Sequence, residues 1–183
     1  DGYSLLMVNS SYAINPGVFS SMPFDPKKDL SPIINVAFVP SVLVVPADSP
    51  YKQLSALIAA AKPAKNPVSF GSCGNGTPQH LAGAVLNING KINMTHVPYS
   101  GCGPALRDVM GGQIPMAIIT ASSAAPHIKS GKLLLLALAA RSRSLSGRRV
   151  APFRVKLMVI EAEPSKLRNR KLSVAVPLRV TVL

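Results

Sequence analysis

The sequence predicts an α/β fold in which a mostly parallel sheet carries helices on both faces. Between residues 33 and 140, short apolar or β-branched runs alternate with amphipathic segments of roughly ten residues. Two glycine-rich turns each join the end of a predicted strand to the start of a predicted helix. Sheets of this kind place ligand sites at such strand ends. The apolar content of 48% in 183 residues is sufficient for a core.

The apolar runs and their spacing set the limits of each predicted element. Residues 4–8 form an apolar run that predicts a buried strand. Residues 33–45 predict two consecutive strand segments, because Pro40 interrupts a β-branched stretch. Further strands are predicted at 68–70, 92–97, 114–120 and 132–140, and helices at 51–62, 78–89, 105–110 and 121–129.

The central glycine-rich turn is the most informative stretch. Gly74 and Gly76, on either side of Asn75, permit backbone angles that other residues avoid. Thr77 is a suitable N-cap for the next helix, and Pro78 suits its first position. A helix that begins there directs unpaired N–H groups toward the turn, which favours a carboxylate or phosphate. A tight turn without a ligand is the alternative, and the glycine spacing matches neither a dinucleotide-binding motif nor a P-loop.

Other polar side chains lie near predicted strand ends. Asn9 and Ser10 follow the first apolar run, where they are either ligand contacts or a turn that satisfies its own backbone. Tyr99 and Gly101 belong to the second glycine-rich turn, and the Tyr99 hydroxyl is interpreted as either a ligand donor or a packing group. His80, one turn inside the central helix, is predicted to be a hydrogen-bonded structural histidine rather than an anion contact.

Cys73 and Cys102 both fall in glycine-rich turns, and we predict free thiols for them. A disulfide between them requires that the two turns face one cleft. Two cysteines and three scattered histidines form no zinc pattern, so no metal or cofactor is predicted. A thiol enzyme with His80 or His96 as base is disfavoured, because His80 lies a turn along the helix. We therefore predict that the chain is not an enzyme.

The net charge of +13 is concentrated near the end of the chain. Residues 1–140 carry nine Lys/Arg and five Asp/Glu, whereas residues 141–183 carry eleven and two. This basic tail favours nonspecific polyanion binding as an alternative function. It does not favour specific nucleic-acid recognition, because Phe153 is its only aromatic residue. The sequence has no apolar run long enough for a membrane span, and any signal peptide is expected to lie outside this chain.

Several short motifs occur in a characteristic order along the first four-fifths of the chain. They are DGYSLL from Asp1, NP at Asn15, GNGT from Gly74, HLAG from His80, HVPY from His96, GPA from Gly103, GGQ from Gly111 and PHIKxGK from Pro126. In this order they resemble the substrate-binding proteins of tripartite tricarboxylate transporters, the TctC or Bug family of bacterial periplasmic solute receptors. Each motif is weak alone, and the ordered set is specific.

The resemblance implies a type II, Venus-flytrap periplasmic binding protein that passes a small carboxylate to the membrane subunits of a transporter. The ligand is expected to be a di- or tricarboxylate or an amino acid, held by backbone N–H groups and hydroxyls, with no cofactor. Residues 1–32 are expected to be a remnant of the first lobe, 33–140 the second lobe, and 141–183 a divergent basic tail. The implied contacts are Asn9 and Ser10 in a first-lobe loop, Ser72, Gly74, Asn75, Gly76 and Thr77 in the carboxylate loop, and Tyr99 and Gly101 in the next loop.

The chain departs from the family pattern in ways that bear on binding. The opening strand and loop of the family's first lobe are absent, and Ile119 and Thr120 stand where the family usually has Asp-Asn. After residue 144 the basic tail replaces the expected return to the first lobe, and no partner sheet is expected for its apolar runs at 155–160 and 172–176. We therefore predict that the turn at Gly74 to Thr77 forms but that carboxylate affinity is weak or absent. A non-functional fragment is a further alternative.

Overall fold

In a computed structural model of the protein, residues 4–62, 67–141, 157–160 and 180–181 are described. The strands are β1 (Ser41–Pro46), β2 (Ser69–Ser72), β3 (Thr95–Pro98), β4 (Ala117–Thr120), β5 (Leu133–Arg141), β6 (Leu157–Ile160) and β7 (Val180–Thr181). The helices are α1 (Ser11–Ile14), a 3-10 turn (Asn15–Gly17), α2 (Leu54–Ala61), α3 (Pro78–Gly90), α4 (Cys102–Met110) and α5 (Ala121–Lys129). The predicted α/β class is confirmed.

The sheet is mixed, with the strand order β3-β2-β4-β1-β5-β6-β7. β2 is parallel to β3 and β4, whereas β1 lies between β4 and β5 and is antiparallel to both. β2, β3, β4 and β5 thus all run in one direction, as the prediction of a mostly parallel sheet requires. The prediction fails for β1, which runs in the opposite direction between β4 and β5. α5 connects β4 to β5, which run in the same direction. These two strands are not neighbours in the sheet, and there is room for one strand between them. β1 fills that position in the opposite direction.

The core lies on both faces of this sheet, because alternate residues of each strand point to opposite sides. Leu43 and Val45 of β1 face a cluster that includes Leu57 of α2 and Leu86 of α3. Val42 and Val44 face the other side, where the buried residues include Leu106 and Val109 of α4 and Ala124 of α5. The prediction of helices on both faces is therefore confirmed.

α3 packs closely against the strand that leads into it. Gly83 on the helix faces the ring of Phe70, which is 1% exposed, and a Cβ at Gly83 would overlap that ring. Gly83 thus sets the distance between α3 and β2. The packing fixes the direction in which α3 leaves the turn after β2.

The N-terminal segment differs from its prediction. Residues 4–8 are not a strand, and Leu5 and Met7 are 80% and 82% exposed. Of the predicted strand pair at 33–45, the part from Ser41 onward forms β1, while residues 33–40 have no regular structure. An apolar run becomes a strand only where a neighbouring strand pairs with it, and no described strand lies beside residues 4–8.

The C-terminal part also differs from its prediction. β6 pairs antiparallel with β5 and β7 pairs with β6, so the apolar run at 157–160 does have a partner in the sheet. The apolar run at 172–176 and the basic residues beyond Arg141 lie outside the described residues. None of the helices in the described ranges is long and apolar enough to span a bilayer.

Candidate functional site

The turn after β2 has the predicted form and is held by its own side chains. The hydroxyl of Ser72, a fully buried residue, accepts a hydrogen bond from the Gly74 amide at 3.1 Å. The Thr77 hydroxyl donates to the Gly74 carbonyl at 2.7 Å and accepts from the His80 amide at 3.3 Å. Thr77 is thus the N-cap of α3, as predicted, and Pro78 occupies the first turn of the helix.

This turn leaves backbone donors at the start of α3. Within the described residues, the amides of Asn75, Thr77 and Gln79 donate to no protein acceptor. Gly74 and Gly76 adopt φ angles of 133° and 69°, which favour glycine and allow successive amides to turn toward one side. Free amides at the positive end of a helix dipole are suited to a carboxylate.

The second glycine-rich turn lies against the first. The Tyr99 amide donates to the Ser72 carbonyl at 3.2 Å, which extends the pairing of β2 with β3. A Cβ at Gly74 would lie 3.0 Å from the Tyr99 carbonyl oxygen, so the two turns approach each other closely. Gly101, with φ of 119°, is the N-cap of α4. The two helices α3 and α4 therefore begin at the same edge of the sheet.

Cys73 and Cys102 form a disulfide that joins these two turns, with Cα atoms 4.3 Å apart. The prediction of free thiols was wrong. Its alternative, that a disulfide forms where the turns face one cleft, describes the observed geometry. The thiol-enzyme alternative has no support here, because a disulfide sulfur is not a thiolate nucleophile. The bond covalently fixes the spacing of the two helix starts.

The Tyr99 hydroxyl is occupied within the protein. It donates to Asp108 Oδ2 on α4 at 2.7 Å. Burial, with the hydrogen bond to Asp108 and its negative charge, raises the pKa of Tyr99 to about 12. The side chain therefore packs and positions α4, and what Tyr99 offers to the turn is its backbone. Asp108 was not foreseen, because nothing in the sequence pairs it with a tyrosine nine residues earlier.

Two stacked histidines lie behind the first turn. The rings of His80 and His96 are 3.9 Å apart and nearly parallel, and Phe70 packs against His96 at 5.0 Å. His96 Nε2 is 2.7 Å from the Ser72 hydroxyl, and the Gly76 amide donates to His80 Nδ1 over a long 3.4 Å. His80 is therefore hydrogen-bonded, in agreement with its prediction as a structural histidine. Burial, followed by the charge of His80, lowers the pKa of His96 to about 4.

The N-terminal segment meets the first turn through a different residue from those predicted. The side chain of Asn9 accepts from the Ser11 amide at 2.8 Å, and Ser10 precedes α1 without a side-chain cap. No described hydrogen bond joins either residue to the turn. Asn15 does reach it, since a Cβ at Gly76 would lie 2.7 Å from Asn15 Oδ1. Asn9 and Asn15 also line one depression of about 420 Å³.

The arrangement suits an anion rather than a metal. In the described ranges, no three His, Cys, Asp or Glu side chains lie together as metal ligands. What the site offers instead is amides at two adjoining helix starts, with the Thr120 hydroxyl nearby. Thr120 joins this edge because its hydroxyl approaches Cys102 Sγ at 3.9 Å.

The family model for the tripartite tricarboxylate transporter family receptor matches residues 1–151. This match covers most of the chain, including both turns. The chain belongs to the tripartite tricarboxylate transporter receptor family. The resemblance inferred from the ordered motifs is thereby confirmed.

Relatives in the receptor family are longer than this chain. It is 35% identical over 144 residues to a UPF0065 protein from the gbd 5' region of Cupriavidus necator, covering 79% of this chain and 43% of the relative. It is 34% identical over 146 residues to the protein BugT of Bordetella pertussis, covering 79% of this chain and 45% of that protein. The chain thus spans less than half the length of these curated relatives.

Solved structures of the receptor family share the fold. The R. palustris protein Rpa4515, solved with adipate, superposes with a TM-score of 0.68 at 28% identity, over 73% of this chain and 45% of that one. MatC from Rhodopseudomonas palustris, solved with malate, gives a TM-score of 0.62 at 25% identity, over 73% and 44%. A periplasmic transporter structure gives 0.66 at 36% identity, over 73% and 45%.

Proposed function

We propose that this chain is the binding part of an extracytoplasmic solute receptor that captures a small carboxylate for a tripartite tricarboxylate-type transporter. Membership of the receptor family supports the transport role, and two solved relatives hold the dicarboxylates adipate and malate. One observation on this chain carries the proposal. Two helices, α3 and α4, begin side by side at one edge of the sheet, and the first has three amides without a protein acceptor among the described residues.

The carboxylate contacts follow from this geometry. The amides of Asn75, Thr77 and Gln79 donate to one carboxylate group, and Gly74 and Gly76 supply the positive φ angles that the turn needs. Gly101 contributes the start of α4. Ser72 supports the turn rather than contacting the ligand, because its hydroxyl is hydrogen-bonded to Gly74 and His96. Asn15 joins Asn9 and Ser10 as a proposed contact from the N-terminal segment.

The lobe division is part of the proposal. Residues 33–140 are assigned to the second lobe, since both buried clusters are drawn from residues 42–137. Residues 1–32 are assigned to the first lobe, and 141–183 to the tail. A receptor of this type acts in the periplasm, where oxidising conditions maintain a disulfide such as Cys73–Cys102. The membrane subunits of the transporter are its expected partners.

A thermal-shift series with isothermal titration tests this function. The purified chain is scanned against malate, adipate, citrate, aspartate and chloride, the last as a nonspecific anion. A ligand that binds the folded state raises the melting temperature with concentration. We expect a shift with at least one carboxylate and none with chloride, and an affinity weaker than roughly 1 µM. A cooperative melt that no carboxylate shifts, at millimolar concentration and in titration alike, contradicts the proposal.

A further inference from the structure

The stacked histidines do not contact the proposed ligand amides directly, yet both are bonded to the turn that presents them. His96 comes from β3 and His80 from α3, and each reaches a different point of the turn. His96 Nε2 meets the Ser72 hydroxyl at 2.7 Å, and His80 Nδ1 receives the Gly76 amide at 3.4 Å. The pair therefore joins β3 and α3 to the two ends of the turn.

The hydrogen bonds require a particular arrangement of protons. An amide N–H only donates, so His80 Nδ1 accepts from Gly76 and the ring proton is on Nε2. The Ser72 hydroxyl already accepts from the Gly74 amide and has one proton to give. It lies 2.7 Å from His96 Nε2 and 3.2 Å from the Gly74 carbonyl oxygen, and it donates that proton to one of the two. His80 thus acts toward the turn as an acceptor, and His96 is paired with the Ser72 hydroxyl in either tautomer.

The surroundings favour a neutral His96 ring. β2 and α3, the elements packed on β3, carry no Asp, Glu, Lys or Arg, and His80 is their titratable group. No carboxylate of these elements is available to hold a proton on His96. Burial and the neighbouring ring lower the pKa of His96 to about 4, in the same direction as the geometry.

We propose that His80 and His96 are positioning residues for the carboxylate site, acting as a stacked, hydrogen-bonded pair that holds the turn at 72–77 in its ligand-binding shape. The pair fixes the Gly74 amide through Ser72 and the Gly76 amide directly. The Gly74 and Gly76 amides are thus engaged within the protein, while those of Asn75 and Thr77 donate to no acceptor among the described residues. The effect of this role on ligand binding rests on the proposed carboxylate function. The effect on the turn itself is measurable without any ligand.

Two matched pairs of variants separate hydrogen bonding from packing. His80→Asn keeps an acceptor near the position of Nδ1, whereas His80→Leu removes it. His96→Gln keeps a polar atom near Nε2, whereas His96→Phe keeps a ring for stacking but no acceptor. His127→Asn is the control histidine, because His127 lies in the last turn of α5, and its hydrogen bonds to Ser130 and Lys132 use only its backbone carbonyl.

Amide hydrogen exchange measured by NMR on the full chain is the primary readout. In His80→Leu the Gly76 amide, and in His96→Phe the Gly74 amide, should exchange about three- to tenfold faster than in the wild type, as expected for one lost hydrogen bond. The Asn, Gln and control variants should keep wild-type rates, and the amides of β1 should be unchanged in all. Equal rates in all six proteins, or equal acceleration in the conservative variants, overturn the proposal.

Two further measurements keep the test decisive. The imidazole ¹⁵N shifts of the wild type should show an unprotonated Nδ1 in His80, and a proton on that nitrogen overturns the proposal even if a variant fails to fold. Malate and adipate titrations should show weaker binding for the Leu and Phe variants than for the Asn and Gln variants. If the wild type binds neither probe, the carboxylate function fails while the exchange rates still decide the positioning role.

Discussion

At the residue scale, the proposed site depends on Gly76 having no side chain. Gly76 has φ of 69°, and a side chain there would meet Asn15 Oδ1 at 2.7 Å and the Phe19 ring at 3.2 Å. The backbone angle alone makes any other residue unfavourable. The turn therefore keeps glycine for two independent reasons, one conformational and one steric.

Gly76→Ala should destabilise the turn and weaken carboxylate binding. Gly112→Ala is its matched control, because Gly112 has φ of 72° with open space around the added Cβ. Both variants carry backbone strain of about 1–2 kcal/mol, and chemical denaturation should show at least as large a loss for Gly76→Ala, whose Cβ also meets Asn15 Oδ1. Titration with malate should show loss of affinity for Gly76→Ala alone. Equal affinities for the two variants would contradict the assignment of this turn to the site.

His96 makes stability depend on pH in a predictable direction. Its pKa is about 4 in the folded chain, below the ordinary value of 6.5. Between these pH values the unfolded chain binds a proton at His96 and the folded chain does not. The free energy of unfolding should therefore fall as pH drops from 6.5 to 4 and lose no more from this group below 4. Denaturant melts of wild type and His96→Gln across this range check it, since the variant should have a shallower slope.

At the scale of elements, much of the α/β pattern could be predicted, and the failures have common physical causes. The limits of α5 were predicted to the residue, and α3 was predicted to within one residue, because Thr77 and Pro78 mark its start. The apolar run at 4–8 was wrongly predicted as a strand, since a strand needs a partner that local sequence does not reveal. The direction of β1 was missed for the same reason.

The packing of α3 on β2 makes a second testable element. Gly83→Ala places a methyl group in the ring of Phe70, so helix and strand must separate, and we expect a loss of about 1–3 kcal/mol. Gly103→Ala is the matched control within α4, where the added Cβ meets nothing within 4 Å. That variant should be neutral or slightly stabilising, because alanine favours helix. Urea melts distinguish the two, and equal stabilities would contradict the packing.

The disulfide links two elements whose spacing the sequence left open. It closes a loop of 29 residues between the starts of α3 and α4. The chain-entropy model assigns such a cross-link roughly 3–4 kcal/mol. The double variant Cys73→Ser/Cys102→Ser should lose up to this amount in urea melts and bind malate more weakly. Reductant should lower the stability of the wild type and leave the double variant unchanged, and an insensitive wild type would contradict the disulfide.

At the scale of the whole molecule, the site forms where separate parts of the chain converge. The proposed site draws on three regions of the chain, which are loop 72–77, the start of α4 and Asn15. The glycine-rich motifs in the sequence indicated only the first two. Asn15, His96 and Asp108 were missed as site neighbours because their roles depend on tertiary contacts. His96 did appear in the HVPY motif and as a candidate base, and Asn15 in the NP motif, but neither signal indicated a contact with the turn.

The central claim is that free amides at the start of α3 bind a carboxylate, and an NMR titration of the ¹⁵N-labelled chain with malate tests it most directly. Amide shifts report even weak, millimolar binding and locate it by residue. The account predicts saturable shifts at Asn75, Thr77 and Gln79, smaller ones at Gly101, and none at Gly131, which lies beyond the end of α5. Saturable shifts confined to other parts of the chain, or none at all with malate, adipate or citrate, would contradict it.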